Sequence, residues 1–317
     1  MVDCSIVIPT LNRAQIIEPL LLSILNQTVL PKEVIIIDDS TDKETEILVN
    51  RLTKDFSKRN IQIKYMRGKG HGLAEARNIG LFYSTSELHL SLDDDIILDK
   101  NYLEAILEFY AAHPNALGIG GYVTNPAYFP SVRSNALNRL FLFYFTEKDK
   151  CRVLSTAISY PLPLTRSINS EWLPGTNSCY KKSIFNEFRW DEKLKKYSLC
   201  EDMDISYRIQ QSHPNSLYLI PNAKVVHRGS QLGRITAEYR IQMEISYHAY
   251  FFFKNVKQTP WNIMNFVYGI FGRFIISLLS MNGKSTFFTV KAQFNMLRHI
   301  KEVRAGNFAS FERRNFG

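Results

Sequence analysis

The chain has 317 residues, and its 45% hydrophobic and 22% charged content is that of an ordinary globular protein rather than a disordered or fibrous one. Its four cysteines form no CxxC pair, which argues against a zinc site or a disulfide framework and favours reduced thiols in a cytosolic compartment. The net charge is +9, and residues 231–317 hold twelve Lys and Arg against four Glu, a local excess of +8. This asymmetry indicates two parts with different partners. The N-terminal residues lack the basic and long apolar segments of a signal peptide.

Strand and helix patterns alternate through the first half of the chain. β-Branched runs predict strands at 4–9, 33–38, 61–66 and 88–92, and apolar stripes at helical spacing predict helices at 14–27, 42–56, 73–84 and 100–113. Strands separated by helices predict an α/β fold with a parallel, doubly wound sheet, in which ligands bind at the carboxyl ends of the strands. A helix at 201–211 and two short strands, 216–220 and 223–227, follow later.

Two regions are less regular. Residues 125–170 show no clear period, and we interpret them as an inserted loop region with short helices that could form part of an acceptor site. From about residue 237 the chain is predicted to be helical and aromatic, and residues 261–281 are nearly long enough to span a bilayer. Because Arg273, near the centre of that segment, would cost about 2.5–3.5 kcal/mol to insert, we favour helices lying on a membrane surface. The alternative is an ordinary helical subdomain packed on the core.

An acidic triplet, Asp93 to Asp95, follows the predicted strand at 88–92. Side chains alternate faces along an extended segment, so Asp93 and Asp95 are expected on one side and Asp94 on the other. Two carboxylates on one side suit Mg²⁺ or Mn²⁺, with a diphosphate completing the coordination. We expect Asp94, facing away, to tolerate replacement by Asn best. A solvated surface turn is the alternative interpretation.

Two other stretches carry candidate nucleotide-binding groups. Asp38 and Asp39 end another strand, where a carboxylate could accept hydrogen bonds from a base or ribose, or could serve the next helix as an N-terminal cap. A Gly-rich turn precedes the helix that bears Arg77, which could reach a nucleotide or be a solvated helix charge.

Acidic residues also begin the helix at 201–211. Glu201 and Asp202 fit either a general base for an acceptor hydroxyl or a set of helix-dipole partners. His227 ends a late strand, where it could be a third metal ligand or a structural histidine.

The ordered set SIVIPTLNR, VIIIDDSTD, GLAEARNIG, LSLDDDIILDKNYL and CEDMDISYRI resembles the family 2 glycosyltransferases with the GT-A fold, over roughly residues 3–230. The resemblance implies a mixed, mostly parallel sheet flanked by helices, a helical C-terminal appendage, and inverting transfer of a sugar from a nucleotide-sugar with Mg²⁺ or Mn²⁺. It assigns Asp202 as the base, with Glu201 beside it, and places Trp172 and Gly175 at the donor and acceptor sugars. It makes Asp95 the main metal ligand, with Asp93 and His227. Its nucleotide-binding residues would be Pro9, Thr10, Asn12, Arg13, Asp38, Asp39, Arg77, Asp93 and Asp94.

The resemblance leaves several points open. The Asn that relatives often carry before the third helix is replaced around Gly70 and His71, and the choice between Asp38 and Asp39 for the base is undecided. We expect a catalytic domain at 1–230 and a basic, aromatic region at 231–317 that contacts a membrane surface or another copy of the chain. The expected donor is a UDP-sugar, the acceptor a saccharide or lipid-linked hydroxyl, and the location the cytoplasmic face of a membrane; no nucleic-acid partner is expected.

Two alternatives compete with this function. A sugar-nucleotide nucleotidyltransferase would carry a Gly- and Arg-rich loop after the first strand, where this chain has PTLNRAQ. A non-enzymatic protein that binds a membrane or nucleic acid would explain the basic tail, although no nucleic-acid motif accompanies it.

Overall fold

The computed structural model describes residues 2–125, 131–154, 157–230, 235–280 and 282–312. Parts of the predicted inserted region, 126–130 and 155–156, lie outside the described residues. The chain divides into two compact units, one containing residues 1–128 and 164–234, the other residues 129–163 and 235–317. An internal segment is thus grouped with the C-terminal region, whereas the expected division at residue 230 remains a prediction.

The strands and helices are as follows. The strands are β1 (Val2–Thr10), β2 (Pro31–Asp38), β3 (Gln62–Arg67), β4 (Leu88–Leu92), β5 (Ile96–Leu98), β6 (Gly118–Val123), β7 (Phe145–Glu147), β8 (Val153–Leu154), β9 (Ala157–Pro161), β10 (Ile168–Asn169), β11 (Asn177–Lys181) and β12 (Leu217–His227). The helices are α1 (Ala14–Leu25), α2 (Glu44–Lys58), α3 (Leu73–Tyr83), α4 (Tyr102–Ala112), α5 (Val132–Leu140), α6 (Glu201–Ser212), α7 (Ala237–Asn255), α8 (Pro260–Leu279), α9 (Gly283–Arg298), α10 (Ile300–Ala305) and α11 (Ala309–Glu312).

The first unit is built on a mixed, mostly parallel sheet with the strand order β10-β12-β6-β11-β4-β1-β2-β3, and β5 pairs with β12. The pairs β1–β2, β1–β4, β2–β3 and β6–β12 are parallel, and β11 runs antiparallel between β4 and β6. The predicted α/β class with helices flanking the sheet is confirmed. Because β1, β2 and β4 are parallel neighbours, their carboxyl ends lie at one edge of the sheet.

Helices cover both faces of this sheet. Ile6 and Ile8 of β1 belong to the core cluster shared with α1, α2 and α4, whereas Val7 belongs to a smaller cluster with Ala76 of α3. A side chain at Gly80 of α3 would overlap Val7, so glycine allows this helix to lie close against the strand. The continuous apolar runs of β1 and β2 follow from burial on both faces.

One prediction for the late strands was wrong. The segments 216–220 and 223–227 were expected to be separate strands, but Leu217–His227 is one strand of eleven residues. Its pairing with β6 shifts register between Ile220 and Lys224, and this irregularity accounts for the break in the sequence pattern around Pro221 and Asn222. The strand carries His227 to the carboxyl edge of the sheet.

The second unit is mainly helical, as predicted for the C-terminal region. It contains α7 to α11, α5 and the small sheet β7-β9-β8. By length and composition, α8 is apolar enough to cross a membrane, although only 22% of its apolar window is buried. The four cysteines all lie within the described residues, where they are buried and form no disulfide.

Candidate active site at the carboxyl edge of the sheet

Asp93, Asp95 and His227 form a compact group where β4, β5 and β12 meet. One ligand atom from each residue lies within 4.8 Å of the others, and His227 Nε2 is 2.9 Å from Asp95 Oδ1. The grouping follows from the fold, because β4 ends at Leu92 and β12 pairs His227 with Ile96. Two carboxylates and an imidazole are a donor set that fits a divalent cation such as Mn²⁺.

Asp95 is fixed from several sides. The Ser230 N–H donates to its Oδ2 at 3.0 Å, and its own carbonyl accepts from the Arg228 N–H at 2.8 Å. Burial acts to raise the pKa of Asp95, but the hydrogen bond and charge of His227, together with Arg13, lower it below its usual value. Asp95 is therefore held as an anion, which is the form that binds a metal.

Asp94 lies apart from this group but is not a solvated side chain. It is 5% exposed, and it accepts from the Thr10 hydroxyl at 2.8 Å and from Arg13 Nη1 at 2.9 Å. Burial raises its pKa to about 6 even though Arg13 and Thr10 oppose the shift. These two partners come from the end of β1 and the loop after it, and the expectation that Asp94 tolerates Asn best of the three acids remains a prediction.

The predicted nucleoside-binding residues of the first strand lie at its carboxyl end and in the loop that follows it. Pro9 and Thr10 are the buried last residues of β1, and Asn12 is exposed in the left-handed conformation with φ of 53°. The Asn12 N–H donates to the Ser40 hydroxyl at 2.6 Å, and its Oδ1 accepts from the Thr41 N–H at 3.1 Å. These bonds tie the loop after β1 to the loop after β2.

Asp38 and Asp39 differ in their surroundings. Asp38 is fully buried and accepts from the Ser40 N–H and hydroxyl and from the Tyr65 hydroxyl. Asp39 is half-buried and accepts from the Gly70 N–H at 3.0 Å, and burial raises its pKa. The structure thus commits Asp38 to internal contacts and leaves Asp39 nearer the surface.

Arg77 links the metal-compatible group to the acidic helix. Its guanidinium is 1% exposed and contacts Glu201, Asp93 Oδ1 at 3.0 Å and the Gly175 carbonyl at 2.8 Å. The sequence left open whether this arginine was a solvated helix charge, and its burial answers that question. Its predicted nucleotide contact remains a prediction, because its described partners are protein groups.

The predicted catalytic pair begins α6. The Gly175 N–H donates to Asp202 Oδ2 at 2.9 Å and the Met203 N–H to Oδ1 at 2.7 Å, so both carboxylate oxygens are oriented by the backbone. Burial raises the pKa of Asp202. Burial, aided by Asp202, raises the pKa of Glu201 to about 8 against the opposing charge of Arg77. Trp172 is buried three residues before Gly175.

A clamp between two loops was not anticipated from the sequence. The Lys196 carbonyl accepts from the Leu73 N–H at 3.0 Å, and the Lys196 backbone N–H donates to the His71 carbonyl at 3.0 Å. The buried Ser198 hydroxyl accepts from the Ala74 N–H at 3.2 Å. Gly72 has a φ of 125°, and a side chain there would overlap the Lys196 backbone. The turn GKGHG was the only visible signal, and it gave no indication of its partner more than a hundred residues away.

Comparison with known protein families identifies the class that this fold and site define. The model described as glycosyl transferase family 2 matches residues 5–172, just over half of the chain, and the model described as glycosyl transferase family group 2 matches residues 90–279. The chain therefore belongs to glycosyl transferase family 2. The GT-A fold that the sequence resemblance implied is confirmed.

The curated relatives share low sequence identity with this chain. The minor teichoic acid biosynthesis protein GgaB of Bacillus subtilis is 24% identical over 239 residues, covering 68% of this chain and 24% of that protein. The chain spans between 14% and 35% of the lengths of the first three curated relatives.

Two solved structures share the fold. Residues 1–349 of S. aureus TarS in complex with UDP-GlcNAc match with a TM-score of 0.55 and 15% identity, covering 98% of this chain and 89% of that one. The mannosyltransferase PcManGT from Pyrobaculum calidifontis in complex with GDP-Man and Mn²⁺ matches with a TM-score of 0.54 and 16% identity, covering 99% and 86%.

Proposed function

We propose that the protein transfers a sugar from a nucleotide-sugar, with inversion at the anomeric carbon, to a hydroxyl of a saccharide or lipid-linked acceptor. The observation that carries the proposal is that one buried cation, Arg77, contacts both Asp93 of the metal-compatible group and the carbonyl of Gly175, whose N–H orients the Asp202 carboxylate. Transfer to a hydroxyl requires both a site for the leaving diphosphate and a base for the acceptor.

The donor would lie across the carboxyl edge of the sheet. The nucleoside would be flanked by Pro9, Thr10, Asn12 and Arg13. Asp39 is a better candidate than Asp38 for contact with the nucleobase, because Asp38 already accepts hydrogen bonds from protein groups. Asp95, Asp93 and His227 would hold a Mg²⁺ or Mn²⁺ ion, which would supply positive charge to the leaving diphosphate. The TarS and PcManGT complexes contain UDP-GlcNAc and GDP-Man, and a UDP-sugar is our proposed donor.

Asp202 would accept the proton of the acceptor hydroxyl as that oxygen bonds to the anomeric carbon. The bond from that carbon to the diphosphate breaks with its electron pair leaving on the nucleotide, so the configuration inverts. Burial raises the pKa of Asp202, which makes it a stronger base, and the two backbone bonds fix its direction. Trp172 and Gly175 would border the sugar beside Glu201.

The test separates binding from transfer. Asp202→Asn should give a normal thermal shift with UDP and Mn²⁺ but lose transfer by at least a hundredfold, roughly the contribution of a general base. Asp55→Asn, a surface change in α2 where Asp55 pairs with Lys58, is the matched control and should leave both unchanged. Full transfer by Asp202→Asn would remove this residue from the base role.

The metal site and the identity of the nucleobase have their own test. Asp95→Asn should abolish the Mn²⁺-dependent part of the UDP thermal shift. A screen of UDP, GDP and other nucleoside diphosphates identifies the nucleobase. A UDP shift that is independent of Mn²⁺ in the unmodified protein would contradict the metal assignment.

We also propose that the C-terminal helical region keeps the enzyme on the cytoplasmic face of a membrane, where a lipid-linked acceptor would be found. This rests on the local charge excess and on the apolar α8.

A further inference from the structure

The orientation of α8 in its own unit is the reverse of that of an ordinary surface helix. Its buried residues are Phe266, Gly269, Gly272 and Ser277, three of them small. Its exposed residues are large and apolar: Trp261, Ile263, Met264, Val267, Tyr268, Phe271, Leu278 and Leu279. Spacings of three, four and seven residues place Met264, Val267, Phe271 and Leu278 along one side of the helix.

Arg273, the single charged residue of α8, points into the unit. Its Nη1 is 3.1 Å from Glu244 of α7, its Nη2 is 2.9 Å from His248 Nδ1, and its guanidinium lies 4.1 Å from the centre of the Phe143 ring. A side chain at Gly272 would overlap Phe141, so glycine allows this close packing. The charge that counted against a membrane-spanning segment in the sequence is therefore paired on the inward side.

The neighbouring α9 exposes a second apolar row. Phe287, Val290, Phe294 and Leu297 are exposed at spacings of three and four residues, and α9 packs against α8 through a bond from Gln293 to the Ile270 carbonyl. The cations Lys284, Lys291 and Arg298 follow each other at seven-residue intervals beside this row, and Lys291 also pairs with Glu238 of α7 at 2.6 Å. A cationic line next to an apolar row is complementary to anionic lipid headgroups lying over acyl chains.

We infer that the outward sides of α8 and α9 form one lipid-contacting surface that inserts into the headgroup boundary of an anionic bilayer without crossing it. The apolar rows would enter the boundary, Lys284 and Arg298 would contact headgroups, and Arg273 would stay in the helical unit. The inference deepens the proposed membrane attachment and rests on it.

The first experiment measures flotation of the full chain with vesicles of phosphatidylcholine alone and with phosphatidylglycerol added. Phe271→Glu and Phe294→Glu should each lower binding to the anionic vesicles about tenfold or more, since an exposed aromatic side chain that would enter the bilayer is replaced by a charge. Phe82→Glu changes an 80% exposed phenylalanine of α3 and is the matched control that should bind like the unmodified protein. Lys284→Gln and Arg298→Gln should each weaken anionic binding about fivefold.

A second experiment measures depth. Trp261 is 66% exposed whereas Trp172 and Trp190 are buried, so a Trp261→Phe background with Phe271→Trp places one exposed tryptophan at mid-helix. Lipids brominated near the headgroup should quench it more than lipids brominated near the chain ends. The opposite order would overturn the interfacial placement in favour of a spanning α8.

Further outcomes distinguish this inference from its rivals. Binding that is unchanged in the Phe271→Glu, Phe294→Glu double variant would overturn it. Absence of vesicle binding, with dissociation of a lipid-free dimer by the same variants, would instead assign the surface to a second copy. Hydrolysis of UDP-sugar in solution should be equal in all these variants, so loss of vesicle binding and loss of transferase activity are separate results.

Discussion

Replacement of Arg77 by Met would remove the one cation that the described structure places between Asp93 and Glu201. The guanidinium is 1% exposed, the Glu201 side chain is 6% exposed, and the Asp93 contact is 3.0 Å. Methionine fills a similar length but offers no donor, so two carboxylates and the Gly175 carbonyl would lose their partner. Because little water can replace the guanidinium, the cost should be that of a broken buried ion pair, about 3–5 kcal/mol in the free energy of unfolding.

The cost should depend on pH in a defined direction. Burial already raises the pKa of Glu201 to about 8, and loss of Arg77 would raise it further. A folded-state pKa above the unfolded value means that the folded state binds more protons, so stability is lost as pH rises through the folded pKa. Arg77→Met should therefore be more costly near about pH 9 than near about pH 6.

Urea unfolding followed by tryptophan fluorescence measures this effect. In a Trp261→Phe background the signal comes from Trp172 and Trp190, both buried in the first unit. Adding Glu201→Gln to Arg77→Met should recover part of the lost stability, because it removes the stranded carboxylate. Arg51→Met, which breaks an exposed pair with Glu18, is the control and should cost no more than about 1 kcal/mol.

The reasoning would be refuted if Arg77→Met cost no more than Arg51→Met. It would also fail if Glu201→Gln and Arg77→Met acted additively, since the two residues would then not be coupled.

Three other substitutions give separate tests. Gly72→Ala should lower the free energy of unfolding by more than about 3 kcal/mol and reduce transfer, because the new side chain meets the Lys196 backbone. Its control is Gly70→Ala, where φ is 77° and the space is open, which should cost only about 1–2 kcal/mol. Equal urea midpoints for the two variants would contradict the clamp. Burial acts to raise the pKa of Glu33, but hydrogen bonds from Lys64, Ser5 and Thr85 outweigh it and lower that pKa to about 2. Its stabilisation of about 2 kcal/mol should be complete above about pH 4.5 and lost as pH falls towards 2, and Glu33→Gln should flatten that acid limb in urea midpoints. Asp94→Asn should cost about 1–3 kcal/mol of stability through Thr10 and Arg13 yet retain calorimetric Mn²⁺ affinity better than Asp93→Asn or Asp95→Asn.

The sequence could predict where strands end, and much of the candidate site follows from that. Asp93 and Asp95 do lie in one group, but Asp94 and Asp95 form a turn between β4 and β5, so the alternation expected for an extended segment is not the physical reason. The strand end at His227 brings the third group to the same edge. The parallel order of β1, β2 and β4 then collects side chains that are up to 84 residues apart, as in the Thr10–Asp94 bond.

The remainder depends on how helices pack, which no local pattern encodes. Arg77 and Glu201 are 124 residues apart, and their contact requires α3 and α6 to approach the same strand end. Burial of Asp94, which lies in the turn between β4 and β5, depends on its contacts with Thr10 and Arg13 from another part of the chain. Pairing of Lys196 with Gly72 similarly joins two loops whose sequences carry no complementary signal.

The interleaving of the two units has a consequence for biosynthesis. Residues 129–163 leave the ribosome well before residues 235–317, with which they are grouped, and residues 164–234 complete the sheet in between. Phe141 and Phe143 contact α8 in the finished protein. They therefore lack this packing partner on the nascent chain until α8 has been synthesised. Premature termination shortly after residue 234 would release a chain that has all of its sheet strands but bears an aromatic segment without its partners, a natural substrate for chaperones or proteases.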